Sequence, residues 1–302
     1  STWAQLIKEI LVDNHQNPNL ICLDGWLVNE SDRKNNGTVS DRYKMKNIDN
    51  FYQERKKNID AMTSDASLSS VGLDFLCDTA KYNYCYNFDW MSRPIIQYPQ
   101  DIVAFQEIVW KVKPDLIIEM GVARGGSLIF SASLLAMLDL CEHGEVKLTP
   151  RTDKPRRVLG VDIDIRAHNL DALKAHPLYS RLSLIEGSSI DRDVIQKVKE
   201  IAKDYNNILV CLDSNHTHNH VIAELDAYSS LTSPGSYCIV FDTVIEDMPI
   251  EMHNNRHWGA GNSPKTAVKE FINKNSEFKI DKSIQDKILI TAAPDGYLKR
   301  VK

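Results

Sequence analysis

No two of the six cysteines stand in a C-x-x-C pair, which removes the zinc-ribbon and dithiol-redox classes. Cys22, Cys77, Cys85, Cys141, Cys211 and Cys238 are scattered, and those in apolar runs read as buried thiols. No long Lys/Arg block exists. With 36 basic residues against 41 acidic ones, net charge −5 and pI near 6.0, nucleic acid and anionic membrane are not expected partners. No apolar run approaches the ~18 residues that span a bilayer, and no basic-then-apolar leader opens the sequence. A cytoplasmic protein is expected, in which the sequons Asn36-Gly37-Thr38 and Asn215-His216-Thr217 carry little weight. Internal repeats and low-complexity tracts are also missing. What is present is ordinary globular composition, 43% hydrophobic and 25% charged over 302 residues. That length suits one domain of about 200 residues with an extension.

Residues 1–95 read as that extension. Polar stretches such as Asn29–Asn36 and Glu54-Arg55-Lys56-Lys57 interrupt short helical patterns, one of them Trp3–Leu11. Oligomer contacts or a lid over the substrate are the roles its position suggests, and a homo-oligomer is expected. In Tyr82–Trp90 aromatics fall on every second position, which predicts an extended segment with one aromatic face, either core packing or a substrate wall.

From residue 96 onward the rhythm is strand, turn, helix. Apolar strands are predicted at Leu116–Glu119, Val158–Asp162, Leu182–Glu186, Asn207–Asp213 and Ser236–Asp242, with closing strands at Phe278–Ile280 and Ile288–Thr291. Helical patterns at 101–111, 127–140, 192–204, 217–231 and 264–273 lie between them. Apolar strands alternating with helices predict an α/β fold: a Rossmann-like, mostly parallel sheet with helices on both faces.

In such a sheet ligands bind outside the carboxyl ends of the strands. Besides Leu182–Glu186, four predicted strands end in acid: Glu119, Asp162, Asp213 and Asp242. An unpaired buried carboxylate is costly, so four in register suggest a site. The first strand runs into Gly121-Val122-Ala123-Arg124-Gly125-Gly126-Ser127, a glycine turn opening a helix whose N-terminus is electropositive. Ala123 breaks the G-x-G-x-x-G fingerprint, and no Lys-Ser/Thr follows the last glycine as a phosphate loop requires. What remains suits a ligand carrying an amine and a carboxylate. Asp162, with Asp164 as competitor, is placed to accept from two ribose hydroxyls. Gly187-Ser188-Ser189 either turns beside an adenine or starts a helix with Ser189 as N-cap.

Asp213 and Asp242 form a carboxylate pair that a hard cation such as magnesium tolerates. His216 just beyond is placed to take a proton from a substrate hydroxyl. His216, His218 and His220 also resemble a zinc cluster, but a helix starting near Thr217 would splay them, since residues two apart do not share a helical face. The stretch Arg256–Pro264 reads as either a loop that closes over substrate or a solvated connector.

These residues together resemble the cephalosporin hydroxylase / rhamnosyl O-methyltransferase family over roughly Asn87–Asp295. The resemblance rests on Pro114–Ser127, Gly160–Asp164, Glu186–Ser189, Leu212–His218 and Pro234–Tyr237. It implies a class I S-adenosylmethionine-dependent O-methyltransferase whose cofactor site draws on Glu119, Gly121, Asp162 and Ser188; Ala123, Gly125, Ser127, Asp164, Gly187, Ser189 and Asp213 complete the expected cofactor set. It also implies magnesium at Asp213 and Asp242. Where the family tends to have Glu-Asp this chain has Phe241-Asp242, so Thr243, Glu246 or water must substitute, or metal binding is weakened or lost. The acceptor would be a hydroxylated small molecule, a sugar, a polyol or a secondary metabolite, deprotonated by His216. A nicotinamide-dependent oxidoreductase and a non-catalytic binding module are the rival readings.

Overall fold

The runs Leu116–Met120 and Ile208–Leu212 are buried at every position, as strands covered on both faces must be. The computed structural model describes residues 20–23, 26–29, 39–143 and 155–302. The helical pattern at 3–11 and the sequon at 36–38 lie outside them. Two units divide the chain, Ser1–Ala61 and Met62–Lys302. In the first, strands β1 (Leu20–Leu23) and β2 (Trp26–Asn29) pair antiparallel, and helix α1 (Val39–Ser64) follows and continues over the division.

In the second unit helix α2 (Ala66–Ala80) precedes the antiparallel pair β3 (Phe88–Trp90) and β4 (Arg93–Ile95). The alternating order then runs α3 (Pro99–Val112), β5 (Leu116–Met120), α4 (Gly126–His143), β6 (Arg157–Asp162), α5 (Ala167–Lys174) and β7 (Leu182–Glu186). It continues with α6 (Arg192–Ala202), β8 (Ile208–Leu212), α7 (His218–Tyr228), β9 (Tyr237–Val240) and α8 (Pro264–Lys274), and closes with β10 (Phe278–Ile280), α9 (Lys282–Ile288) and β11 (Tyr297–Arg300). The seven-stranded sheet has the order β10-β11-β9-β8-β5-β6-β7. Strands β5 to β9 pair in parallel, while β11 runs antiparallel between β9 and β10. The chain reverses its direction of winding between β5 and β8, the place where such a sheet opens a crevice for a ligand.

Alternation along the strands sorts side chains between two cores. Leu116, Ile118 and Met120 join Val210, Leu212 and Val240 on the face covered by α6, α7 and α8. Ile117, Leu209, Cys211, Ile239 and Phe241 face α3 and α4 instead. By the same parity Glu119 and Asp213 turn toward α3 and α4.

Two expectations about elements are corrected. Tyr82–Trp90 is not extended throughout: Asn83 takes a left-handed φ of 50°, and Tyr84–Tyr86 closes a 3-10 turn before β3 begins at Phe88. Tyr84 packs edge-on against Phe75 and Phe88, while Tyr82 and Tyr86 are exposed. The segment Ile288–Thr291 is not a strand; it ends α9, with Leu289 at φ 60°, and β11 closes the sheet.

Residues 291–297 are held from α3 by Asp101, which is buried. Its carboxylate accepts from the Thr291 hydroxyl, from the Tyr297 hydroxyl at 2.8 Å and from the Ala292 amide at 2.8 Å. Asp101→Ala strands three buried donors, each costing about 1–3 kcal/mol. Urea unfolding is expected to show a loss of roughly 3 kcal/mol or more, and an unchanged midpoint would contradict this anchoring.

Candidate active site

The strand tips meet at Gly121. Its amide donates to the Val161 carbonyl and the Met120 carbonyl accepts from the Asp213 amide, both at 2.8 Å, so β6, β5 and β8 end together. Glu119 is therefore inside β5 rather than at its tip, Asp213 lies one residue past β8, and Asp242 lies two past β9. Asp162 keeps its place as the last residue of β6. Its Oδ2 accepts from the amides of Val122 and Ala123 at 2.8 and 3.1 Å, so it shapes the glycine turn as well as facing the cleft. From the opposite side Asn169 Nδ2 donates to the Ala123 carbonyl at 3.0 Å, and Arg93 donates to the Arg124 carbonyl.

Two cavities lie beside this junction. One, a cleft, is bordered by Gly121, Asp162, Ile163, Ser188, Ser189 and His220, with Ser214 and Asn215 at its side. The other sits on the α3–α4 face and is bordered by Gln97, Glu119, Ser127, Asp213, Phe241 and Asp101. Glu119 is buried and accepts from the Ser127 hydroxyl. Burial pushes its carboxyl up to about 7, against the pull of that hydroxyl. Asp213 accepts from Gln97 Nε2 at 3.4 Å, and burial, with the charges of Asp242 and Glu119, holds its carboxyl well above the usual range. Ala123, Gly125, Asp164 and Gly187 border neither cavity. Asp164 is exposed and lies 3.5 Å from Arg166, so Asp162 is the ribose candidate that the cleft retains. Ser189 is not an N-cap: Asp191 takes that place, and the Ser189 hydroxyl donates to Glu224 at 2.5 Å.

Glu119 ionises near 4.5 in an unfolded chain and near 7 in the folded one. Its folded pKa is the raised one, so the folded state holds an extra proton between those values. Its burial is free of charge cost below about pH 4.5 and weakens the fold as pH rises through 7. Thermal melts of the unliganded protein are expected to fall over that window, and Glu119→Gln is expected to flatten the slope. A slope unaltered by the substitution would assign it to other groups.

Asp213, His216 and Asp242 converge with ligand atoms all within 4.8 Å of one another. His216 Nδ1 lies 3.3 Å from Asp242 Oδ2, and its ring meets Trp258 edge-on at 5.5 Å. Asp242 adopts φ 56°, a left-handed turn that lifts it out of the strand line. Thr243 does not join the set: it is fully buried and its hydroxyl donates to the Pro294 carbonyl at 2.7 Å. Glu246 is likewise taken, accepting from the Gly261 amide and the Ser263 hydroxyl at 2.9 and 2.7 Å. Phe241 is 7% exposed and forms an apolar wall of the second cavity. His218 turns away to Thr266 and Glu270, and His220 to Ser189, so the three histidines do not gather at a zinc site.

The stretch 256–264 is neither a plain connector nor unstructured. Asn262 accepts from the first amide of α7 at 2.9 Å, Gly259 and Asn262 bridge, and Arg256 lies over the Trp258 ring at 5.2 Å. Gln97 and Glu224 were not legible as site residues. Glu224 falls between Val221, Leu225 and Tyr228 on the buried face of α7, and an acid at that helical spacing is the signal that would have found it.

Residues 82–301 match the family described as Rhamnosyl O-methyltransferase/CmcI. The rhamnosyl O-methyltransferase of Mycobacterium tuberculosis is 28% identical over 202 residues, covering 66% of this chain and 73% of that protein. That of Mycobacterium leprae is 26% identical over 221 residues, covering 72% and 86%. Among solved structures, cmcI with magnesium and S-adenosylmethionine aligns at 17% identity and TM-score 0.47 over 72% of this chain and 78% of that one.

Proposed function

This chain belongs to the Rhamnosyl O-methyltransferase/CmcI family of S-adenosylmethionine-dependent O-methyltransferases, and we propose that it methylates a hydroxyl of a sugar or sugar-like acceptor, with His216 as general base. The observation that carries this reading is the convergence of His216, Asp242 and Asp213 at the strand tips, beside Trp258 and with Asp213 bordering the cavity on the α3–α4 face. The open cleft would take the adenosine, with Asp162 toward the ribose. The cavity on the α3–α4 face would take the methionine end, its ammonium facing Glu119 and Asp213. Sugar as the acceptor class follows the name of the mycobacterial relatives. A flat indole such as Trp258 beside the base suits the apolar face of a sugar ring. Family membership sets the nicotinamide reading aside.

In the reaction the acceptor oxygen attacks the methyl carbon in line. The new C–O bond forms as the carbon–sulfur bond breaks, its electron pair staying on sulfur. His216 takes the hydroxyl proton, and Asp242, at its Nδ1, orients the ring and favours the imidazolium that forms. The rest of the protein aligns the two reactants and keeps water from them.

The donor set also fits a divalent cation. Two carboxylates with room for water suit magnesium, which uses few protein oxygens, so Asp213 and Asp242 would hold it without the carboxylate that Phe241 replaces. Bound there, it would polarise and orient the acceptor hydroxyl. Chelator is expected to lower turnover and leave S-adenosylhomocysteine binding unchanged in calorimetry. Turnover with rhamnosyl or related glycoside acceptors is the test of substrate class; methyl transfer to phenolic but not glycosidic hydroxyls would overturn it. The role expected of residues 1–95, in assembly or in covering the acceptor, would be removed by a variant lacking 1–80 that keeps its assembly state and its turnover.

A further inference from the structure

Behind the open cleft stands a carboxyl that the methyl-transfer chemistry does not use. Glu224, on α7, is 0% exposed. Its Oε1 accepts from the hydroxyls of Ser189 and Ser214 at 2.5 and 2.6 Å, and His220 Nε2 lies 3.4 Å away. Ser189, Ser214 and His220 all border the cleft. A serine hydroxyl has one proton, and here both serines give theirs to Glu224. His220 Nε2, 2.9 Å from Ser189 Oγ, must then be the donor in that pair, so its N–H is directed to the same cluster. The Tyr228 hydroxyl donates to the Ser189 carbonyl and fixes the turn from behind.

We infer that Glu224 is a positioning residue that sets the hydrogen-bond polarity of the nucleobase end of the cleft, making it select a 6-amino purine over a 6-oxo purine. The inference rests on the methyl-donor reading of the cleft. With the serine protons turned inward, only oxygen lone pairs remain to meet the base at Ser189 and Ser214. The exocyclic amine of adenine can donate to them. A 6-oxo purine brings a carbonyl to the same place, oxygen against oxygen, and leaves acceptors on both sides without a proton. Asp162 at the ribose end fixes which way the nucleoside lies, and Ile163, 74% exposed at the cleft border, offers an apolar surface for the base.

The test is calorimetric titration of the full chain with S-adenosylhomocysteine and with S-inosylhomocysteine, which differ in the 6-substituent and the adjoining ring proton. The wild type is expected to prefer the adenosyl ligand by about tenfold or more. In Glu224→Gln the amide can donate to a serine oxygen and turn a hydroxyl toward the cleft. The preference is expected to shrink to about threefold or less, chiefly through better inosyl binding. A residue with a merely structural role would weaken both ligands together and leave the ratio intact. Should Glu224→Gln fail to fold, Ser214→Ala, which keeps the Ser189–Glu224 bond, is expected to lower the ratio as well. Wild type binding both ligands equally, or a ratio that survives these substitutions, overturns the inference alone. Wild type binding neither overturns the methyl-donor reading and the inference with it.

Discussion

Replacing His216 with Asn is expected to lower kcat by about two to four orders of magnitude, the usual contribution of a positioned general base. Cofactor affinity should stay where it was, because His216 borders neither cavity. His218→Asn is the matched control. It lies two residues away but is tied to Thr266 at 2.8 Å and Glu270 at 3.1 Å, so kcat should hardly change. Equal losses in the two variants would mean that the α7 entrance matters only as structure. A full rate in His216→Asn would remove the base from the mechanism.

Gly121→Ala is expected to abolish cofactor binding and to weaken the fold at once. A Cβ there would stand 2.2 Å from the Asp213 carbonyl oxygen and 2.8 Å from its carbon, both backbone, at a φ of +102°. No side chain can move aside, so β5 and β8 must part at the crevice. The cost is of order 3 kcal/mol or more, and calorimetry should find no S-adenosylhomocysteine binding. Gly235→Ala makes the comparison: φ is +84° but nothing lies within 4 Å of the added carbon. Only backbone strain of about 1 kcal/mol is expected, with binding intact. Binding preserved in Gly121→Ala would show that the strand junction is not the floor of the cofactor site.

The difference between these two glycines was hidden in the sequence, although both are followed or preceded by strands. Periodicity and apolar runs are local properties, and they placed the five parallel strands within a residue or two of their observed ends. They also brought Asp162, Asp213 and Asp242 to one edge, because a parallel sheet aligns its carboxyl ends whatever the side chains. They failed where a single backbone residue decides. Asn83 at φ 50° and Leu289 at φ 60° break segments whose composition reads as strand. Thr243 looked like a replacement ligand because it follows Asp242, but the left-handed turn at Asp242 sends it into the core toward Pro294. Glu224 went unseen because its partners Ser189 and Ser214 come from loops 35 and 10 residues away, and only the fold joins them.

The central claim is that the crevice at β5, β6 and β8 holds S-adenosylmethionine, and its most direct test is calorimetric titration of the purified chain with that compound, with and without chelator. One-site binding that survives chelator and is lost in Asp162→Ala is the predicted result. No heat of binding in the wild type, or binding indifferent to Asp162→Ala, would contradict it.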